Sequence, residues 1–189
     1  MLSNKAIIFC GPSGAGKTTI AKYLLENNPR LRFSISACTR PVRKNESAGR
    51  DYYFLSKQEF KEKIANNEFI EWEEVYEGSY YGTLKSEIES IWAENKIAIF
   101  DVDVKGGLRL KNYFQHHALA IYVKVPHVNL LTKRLLKRNT DTEQSIKQRI
   151  AKAKYEASFE NQFDATLLND KMKVTLAKAQ QLVDVFLQT

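Results

Sequence analysis

The stretch Gly11-Pro-Ser-Gly-Ala-Gly-Lys-Thr18 follows an apolar run at residues 5–10 and precedes a segment with helical periodicity at residues 16–26. It matches GxxxxGK[ST] in the strand, loop and helix context that this pattern requires. The glycines let the backbone fold around phosphate oxygens, and the amides of residues 14–19 point inward at the positive end of the helix. Lys17 can then reach the β- and γ-phosphates of a nucleoside triphosphate, and Thr18 offers its hydroxyl to Mg²⁺. The predicted triphosphate site consists of Gly11, Pro12, Ser13, Gly14, Ala15, Gly16, Lys17, Thr18 and Thr19.

Strand-like and helix-like segments alternate along much of the remaining chain. Apolar, β-branched runs at residues 97–100 and 119–125 are each followed by a segment of helical character, and residues 166–168 form a weaker third run. This alternation predicts an α/β fold in which helices cover both faces of a parallel sheet. Ligands of such folds bind at the carboxyl ends of the strands, where the glycine loop lies.

Two stretches interrupt this rhythm. Residues 36–83 are polar and aromatic, and they predict short strands at 51–54 and 69–73 around a helix near 56–65. Residues 128–161 form a second, helical stretch that is rich in Lys and Arg. We therefore predict a single domain with an inserted subdomain at about 36–83 and a helical lid at about 128–161. Its core would comprise about 1–35, 84–127 and 162–189.

Two carboxylates, Asp101 and Asp103, follow the apolar run at residues 97–100. Strand alternation points both side chains to the same side, near the expected phosphate site. One could belong to the Mg²⁺ shell, directly or through water, while the other accepts an N–H group of a base. Either could instead cap the helix that follows, since Asp is a common N-cap residue.

The composition is that of a globular protein, with 189 residues of which 43% are hydrophobic and 27% are charged. No apolar run approaches the roughly 20 residues that span a bilayer, so we expect a cytoplasmic protein with no membrane partner. The net charge of +7 favours anionic ligands. The basic residues are spread along the chain, which argues against a nucleic-acid partner. Monomer and homodimer both stay open.

The polar segment at residues 34–54 carries the most specific pattern in the chain. It reads Ser34-Ile-Ser-Ala-Cys-Thr-Arg-Pro-Val-Arg-Lys-Asn-Glu-Ser-Ala-Gly-Arg-Asp-Tyr-Tyr-Phe54. This segment resembles the GMP-binding segment of guanylate kinases, SxSxTTRxxRxxExxGxDYxF. Further matches follow in order at residues 69–72, 80–83, 101–103, 138–143, 149 and 169–170, so that the resemblance covers nearly the whole chain. Among the departures, Cys38 replaces the usual Thr or Ser and Lys105 replaces the usual Gln.

The resemblance implies a P-loop kinase core with a GMP-binding insertion and a lid. It also implies transfer of the γ-phosphoryl group of ATP onto GMP, and also dGMP, with Mg²⁺ as the cofactor. The implied base-reading residues are Ser36, Glu71, Thr83 and Asp101, and the implied phosphate-binding residues are Arg40, Arg43, Tyr52 and Tyr81. Asn169 and Asp170 would add to the ATP site. The implied catalytic residues are Lys17, Arg43, Arg138 and Arg149, and the implied Mg²⁺ ligands are Thr18, Asp101 and Asp103.

The chemistry of these residue types agrees with that assignment. Arg40 and Arg43 carry planar donor forks that suit a phosphate monoester, and tyrosine hydroxyls can add further donors. Guanine presents N1–H and N2–H₂ donors on its pairing edge, whereas adenine presents an acceptor at N1. A carboxylate such as Glu71 therefore favours guanine.

Two other functions would use part of this pattern. A ribose-bisphosphate kinase would keep the P-loop and lose the base-reading carboxylate at Glu71. A guanylate-kinase-like domain that binds phosphopeptides would have a degraded P-loop and would lack the lid arginines. Lys17, Arg138 and Arg149 are all present, which argues against the second function. Because the phosphate-binding residues lie in three separate segments, catalysis is expected to require closure of the insertion and the lid onto the core.

Overall fold

The computed structural model describes residues 4–43, 46–137 and 143–188. Its strands are β1 (Ala6–Cys10), β2 (Leu31–Phe33), β3 (Ala37–Cys38), β4 (Tyr53–Phe54), β5 (Phe69–Tyr76), β6 (Ser79–Leu84), β7 (Ile97–Asp101), β8 (Ala118–Lys124) and β9 (Ala165–Leu168). Its helices are α1 (Lys17–Asn27), α2 (Lys57–Ala65), α3 (Lys85–Ala93), α4 (Val104–Phe114), α5 (Val128–Lys137), α6 (Glu143–Glu156) and α7 (Met172–Gln188). Short 3₁₀ turns occur at Gln115–His117 and Ala157–Gln162.

The central sheet consists of five parallel strands in the order β2, β7, β1, β8 and β9. Every residue of β1 is buried, because this strand lies in the middle of the sheet and helices cover both of its faces. Ile7 and Phe9 pack with α1 and α7 on one face. Ile8 and Cys10 pack with α3 and α4 on the other. The predicted α/β fold with a parallel, helix-flanked sheet is confirmed.

A second sheet lies within residues 37–84, with the strand order β4, β3, β6 and β5. Strand β6 pairs antiparallel with both β3 and β5, whereas β3 and β4 are parallel. Helix α2 begins after Ser56, which forms a capping box with Glu59. The Phe60 ring of this helix stacks on Phe69 of β5, with the ring centroids 4.4 Å apart. Strand β6 (Ser79–Leu84), most of whose side chains are polar or aromatic, was not predicted from the sequence.

A buried carboxylate connects this second sheet to the core. Glu87 of α3 is 3% exposed. It accepts hydrogen bonds from the backbone N–H of Ile35 at 3.0 Å and from the Tyr53 hydroxyl at 2.8 Å. Because Ile35 precedes the second sheet and Tyr53 lies in it, Glu87 joins the chain entering that sheet to the helix that follows it.

Helices α5 and α6 both contact the phosphate loop, through Arg134 and Arg149. Leu131 and Leu135 of α5 and Ile146 and Ala153 of α6 are buried, and Leu131 and Ala153 join the core cluster around β1. The division into core, insertion and lid stays a prediction at the residue boundaries given above. None of the helices in the described part of the chain is both long and apolar enough to cross a membrane.

Candidate active site

The loop between β1 and α1 has a backbone conformation that favours glycine. Gly11 and Gly16 have φ angles of +131° and +99°, where L side chains are disfavoured. A Cβ atom on Gly11 would also lie 2.5 Å from the Val123 carbonyl oxygen of β8. Lys17 Nζ donates hydrogen bonds to the carbonyl oxygens of Gly11 at 2.8 Å and Pro12 at 3.3 Å. The lysine is therefore held along the loop that is predicted to bind phosphates.

Asp101 lies beside this loop, because β7 pairs with β1 and both strands end at the same edge of the sheet. The Thr18 hydroxyl donates a hydrogen bond to the Asp101 carboxylate, and Lys17 Nζ lies 3.6 Å from Asp101 Oδ1. A hydroxyl and a carboxylate are hard oxygen ligands of the kind that Mg²⁺ prefers. No cluster of three or more His, Cys, Asp or Glu side chains suited to a metal occurs in the part of the chain that the structure describes. Metal binding here would therefore also need phosphate and water oxygens.

Asp103 has a different environment from Asp101. Its Oδ1 atom accepts the Gly106 backbone N–H at 2.8 Å and caps α4. Its Oδ2 atom accepts a hydrogen bond from Lys152 Nζ at 2.9 Å. Of the alternatives that the sequence left open for Asp103, helix capping is the one observed. The Mg²⁺ role that the resemblance implies for this residue stays a prediction.

Glu71 of β5 is buried, with 6% of the residue exposed. Thr83 of β6 donates its hydroxyl hydrogen to Glu71 Oε1 at 2.8 Å. A Cβ atom on Gly106 would lie 3.0 Å from Glu71 Oε2, so the first turn of α4 lies close against the carboxyl. Burial raises the pKa of Glu71 to about 7, and the nearby charge of Asp103 adds to the increase, while the Thr83 hydrogen bond opposes it.

Arg40, one of the two arginines that are predicted to bind the acceptor phosphate, is paired with a carboxylate. Arg40 makes two hydrogen bonds to Glu46, at 2.6 and 2.7 Å, which hold the pKa of Glu46 below its ordinary value. The Arg40 guanidinium also lies 4.7 Å from the centre of the Tyr52 ring. Burial raises the pKa of Tyr52 to about 12 and that of Tyr81 in the same direction. Both hydroxyls therefore stay protonated near neutral pH and can donate hydrogen bonds.

Helices α5 and α6 bring further cations to the loop. Arg149 Nη1 donates to Ser13 Oγ at 2.7 Å. Arg134 of α5 lies in the Lys- and Arg-rich stretch at residues 128–161. Its guanidinium is partly buried and donates to the carbonyl oxygens of Ala15 and Asn169, each at 3.3 Å. The predicted catalytic Arg138 lies outside the described residues.

One cleft joins the two predicted nucleotide sites, and most of the predicted residues line it. The lining includes Gly11, Ser13, Gly14, Gly16, Lys17, Thr18, Ser36, Arg40, Arg43, Tyr52, Glu71, Tyr81, Asp101, Asp103 and Arg149. Asn169 is fully buried behind the loop and donates to the Ala15 carbonyl oxygen at 2.6 Å. Thr19 and Asp170 are exposed, and they are not among the described residues that line the cleft.

Three acidic side chains and one lysine that were given no role from the sequence also act in this region. Glu46 pairs with Arg40. Lys152 of α6 bridges Asp103 and Glu156, with Nζ to oxygen distances of 2.9 and 3.7 Å. Glu73 of β5 lines the cleft. The i, i+4 spacing of Lys152 and Glu156 is visible in the sequence. Arg40 and Glu46 are close in the sequence but do not have helical spacing, and Lys152 and Asp103 are far apart in the chain.

A guanylate kinase family model matches residues 3–185 of the sequence. The chain belongs to the guanylate kinase family. Guanylate kinases from Bacteroides fragilis and Porphyromonas gingivalis are 48% and 45% identical to it, covering 97% of this chain and 90% and 98% of theirs. The crystal structure of guanylate kinase from Anaplasma phagocytophilum matches with a TM-score of 0.78 at 24% identity, over 100% of this chain and 89% of that one. The fold of this family is thus confirmed for the chain.

Proposed function

We propose that this protein transfers the γ-phosphoryl group of ATP onto GMP, and also onto dGMP, and releases ADP and the nucleoside diphosphate. Membership of the guanylate kinase family supports this reaction. The observation that carries it is a single cleft lined both by the predicted phosphate-binding loop and by Glu71, a buried carboxylate suited to guanine. We also propose that the reaction serves cytoplasmic purine nucleotide metabolism, without a nucleic-acid or membrane partner, in a monomer or a homodimer.

The donor end would bind ATP through the loop amides, with Lys17 on the β- and γ-phosphates. Asn169 holds the loop by donating a hydrogen bond to the Ala15 carbonyl oxygen. Asp170, which is exposed, would contact the adenine base of ATP. Thr18 and Asp101 form the oxygen-rich pair that would hold Mg²⁺ together with the phosphate oxygens. When bound, Mg²⁺ supplies neutralisation of the phosphate charge.

The acceptor end would recognise both parts of GMP. Glu71 in its ionised form would accept the N1–H and N2–H₂ donors of guanine, with Ser36 and Thr83 beside it. Arg40, Arg43, Tyr52 and Tyr81 would bind the phosphate group. Glu46 keeps the Arg40 guanidinium in one orientation before the substrate arrives, which reduces the entropy lost on binding.

Transfer would need cations around the migrating phosphoryl group and exclusion of water. Lys17 and Arg149 both contact residues of the loop, Lys17 the Gly11 and Pro12 carbonyl oxygens and Arg149 the Ser13 hydroxyl. We propose that Arg43 and Arg138 complete this group of cations when the insertion and the lid close on the core. Acceptor binding energy would drive that closure and would protect ATP from hydrolysis until GMP is bound.

An acceptor panel tests this function directly. ADP release from ATP would be measured in a coupled assay with GMP, dGMP, AMP, UMP and ribose bisphosphate, each with and without Mg²⁺. Turnover is expected with GMP and dGMP only, and only with the metal. Turnover with ribose bisphosphate but not GMP would favour the alternative kinase. Binding of a phosphopeptide with no turnover of any acceptor would favour the non-enzymatic domain.

A further inference from the structure

Two cations of helix α4 contact one carboxylate of strand β5. Lys105 Nζ lies 3.2 Å from Glu73 Oε1, and Arg109 Nη2 lies 2.8 Å from Glu73 Oε2. Arg109 also donates a hydrogen bond to the backbone carbonyl oxygen of Trp72. Each carboxylate oxygen thus has its own cation. We call these three side chains, Glu73, Lys105 and Arg109, the Glu73 clasp.

The Glu73 clasp connects β5 to α4, and the Glu71 carboxyl lies between these same two elements. Glu71 precedes Glu73 by two residues, so both side chains leave β5 on the same face. Glu71 Oε2 lies against the first turn of α4, as its closeness to a Cβ built on Gly106 indicates. Lys105 and Arg109 follow on the same helix, one turn apart. A shift of β5 along α4 would therefore move the Glu71 carboxyl by a similar distance.

The exposure of the clasp shows which property it controls. The Lys105 and Arg109 side chains are 48% and 50% exposed, whereas the Glu73 side chain is 14% exposed. Half-exposed ion pairs contribute little to folding stability. Displacement of a recognition group by about 1 Å, in contrast, can reduce catalysis by about two orders of magnitude. The clasp is therefore expected to affect recognition of the acceptor more than the stability of the fold.

We propose that the Glu73 clasp is a positioning device that holds Glu71 at the distance from helix α4 at which it can receive the acceptor base. This inference rests on the proposed function, in which Glu71 reads guanine. It also gives a role to Lys105, for which the resemblance to guanylate kinases implied none. Of the three clasp residues only Glu73 is among the described residues that line the cleft. Lys105 and Arg109 would therefore act through Glu73 and β5.

The test is steady-state kinetics of Glu73→Gln, which keeps the side-chain length and removes the charge. KM for GMP is expected to rise about fivefold or more, while kcat and KM for ATP change by less than about twofold, because only acceptor positioning is lost. Lys111→Gln is the matched control, since Lys111 lies on the same helix and pairs with Asp164 at 2.6 Å, away from β5. The control is expected to leave all three constants unchanged.

A double-mutant cycle separates the clasp from a direct contact of Glu73 with GMP. Arg109→Gln alone should raise KM for GMP, and Glu73→Gln with Arg109→Gln together should raise it no more than the larger single change. If the rise in KM for GMP of the double variant equals the product of the rises in the two single variants, the proposal is overturned. Thermal unfolding by circular dichroism checks that each variant folds. If Glu73→Gln does not fold, Lys105→Gln replaces it as the test, because the Lys105 side chain is half-exposed. KM for GMP should again rise while kcat and KM for ATP do not, although the rise should be smaller.

The failure of this inference is distinguishable from failure of the proposed function. A wild-type protein that does not phosphorylate GMP would reject the function itself. A wild-type protein that phosphorylates GMP, with a Glu73→Gln variant whose KM for GMP stays within about twofold, would reject the clasp alone. Equal changes in KM for GMP and KM for ATP would also reject it, since they would indicate a general loss of structure.

Discussion

Replacing Glu71 with Gln is expected to make the protein more stable and less selective at the same time. Burial raises the pKa of the Glu71 carboxyl to about 7 from its ordinary value of 4.5, with a hydrogen bond from Thr83 acting in the opposite direction. One pKa unit corresponds to about 1.4 kcal/mol. Ionised Glu71 therefore lowers the free energy of unfolding by about 3 kcal/mol at a pH well above 7. The uncharged Gln side chain removes that loss.

The sign of this effect follows from proton linkage. Between pH 4.5 and 7 the folded protein keeps the proton on Glu71, whereas the unfolded chain has released it. The loss of stability is therefore absent below pH 4.5, grows as the pH rises to 7 and is constant above that value. Wild type and Glu71→Gln should unfold alike near pH 4.5. At about pH 8 the variant should have the higher Tm, by about 6–12 °C for a chain of this length.

Recognition of the acceptor should change in the opposite direction. A carboxylate accepts two hydrogen bonds from guanine, whereas the Gln amide presents one acceptor and one donor group. A mispaired buried polar group costs about 1–3 kcal/mol, which corresponds to a loss of about 5- to 150-fold in kcat/KM for GMP. The ratio of kcat/KM for AMP to that for GMP should move towards one.

Two measurements decide the outcome. Urea denaturation of both proteins at several pH values gives the difference in unfolding free energy, and coupled assays with GMP and AMP give the selectivity. A stability difference that does not change with pH, or a less stable variant at high pH, would refute the reasoning on burial. An unchanged AMP-to-GMP ratio would show that Glu71 does not read the base.

The remaining predictions concern the loop, the lid and the core. Lys17→Ala is expected to retain less than about a tenth of the wild-type activity with an unchanged circular dichroism spectrum, because glycines rather than the lysine set the loop shape; higher activity would contradict the donor site. Arg149→Ala is expected to lower kcat far more than it raises KM for GMP in steady-state assays, since its contacts would strengthen in the transition state; a change confined to KM would show that it only binds. Gly107→Ala places a methyl group onto Cys10 Sγ, so urea denaturation should show a loss of about 1–3 kcal/mol. That loss should be smaller in a Cys10→Ala background, and equal losses in both backgrounds would rule out the clash.

Those parts of the fold that depend on contiguous residues could be predicted from the sequence. The strands at β1, β7 and β8 were predicted to within about a residue or two, because each contains a contiguous apolar run that is buried in the sheet. Strand β6 was not predicted, because most of its side chains are polar or aromatic and one of its two partners, β3, is distant in the sequence. The phosphate loop was predicted with its helix, since its glycines and its lysine lie within eight residues.

Asp103 and Arg134 show where the sequence was insufficient. The pattern Asp101-x-Asp103 left both carboxylates with the same set of roles, and nothing in the sequence distinguishes Arg134 from the other basic residues at 128–161. The structure separates the two carboxylates, because α4 begins directly after Asp103 and draws its side chain onto the Gly106 amide. Arg134 turns towards the carbonyl oxygens of the loop, because α5 packs beside it.

The sequence by itself determined the chemistry available to this protein: a phosphate loop, a set of arginines and a carboxylate of the kind that selects guanine. These features are recognised from residue type and local spacing, and both are properties of the chain before it folds. The tertiary structure alone decided which charges face one another, including Arg40 with Glu46, Lys152 with Asp103, and the Glu73 clasp. Ion pairing depends on distances of a few ångströms between side chains, and for residues such as 73 and 109 only the packing of strand against helix sets those distances.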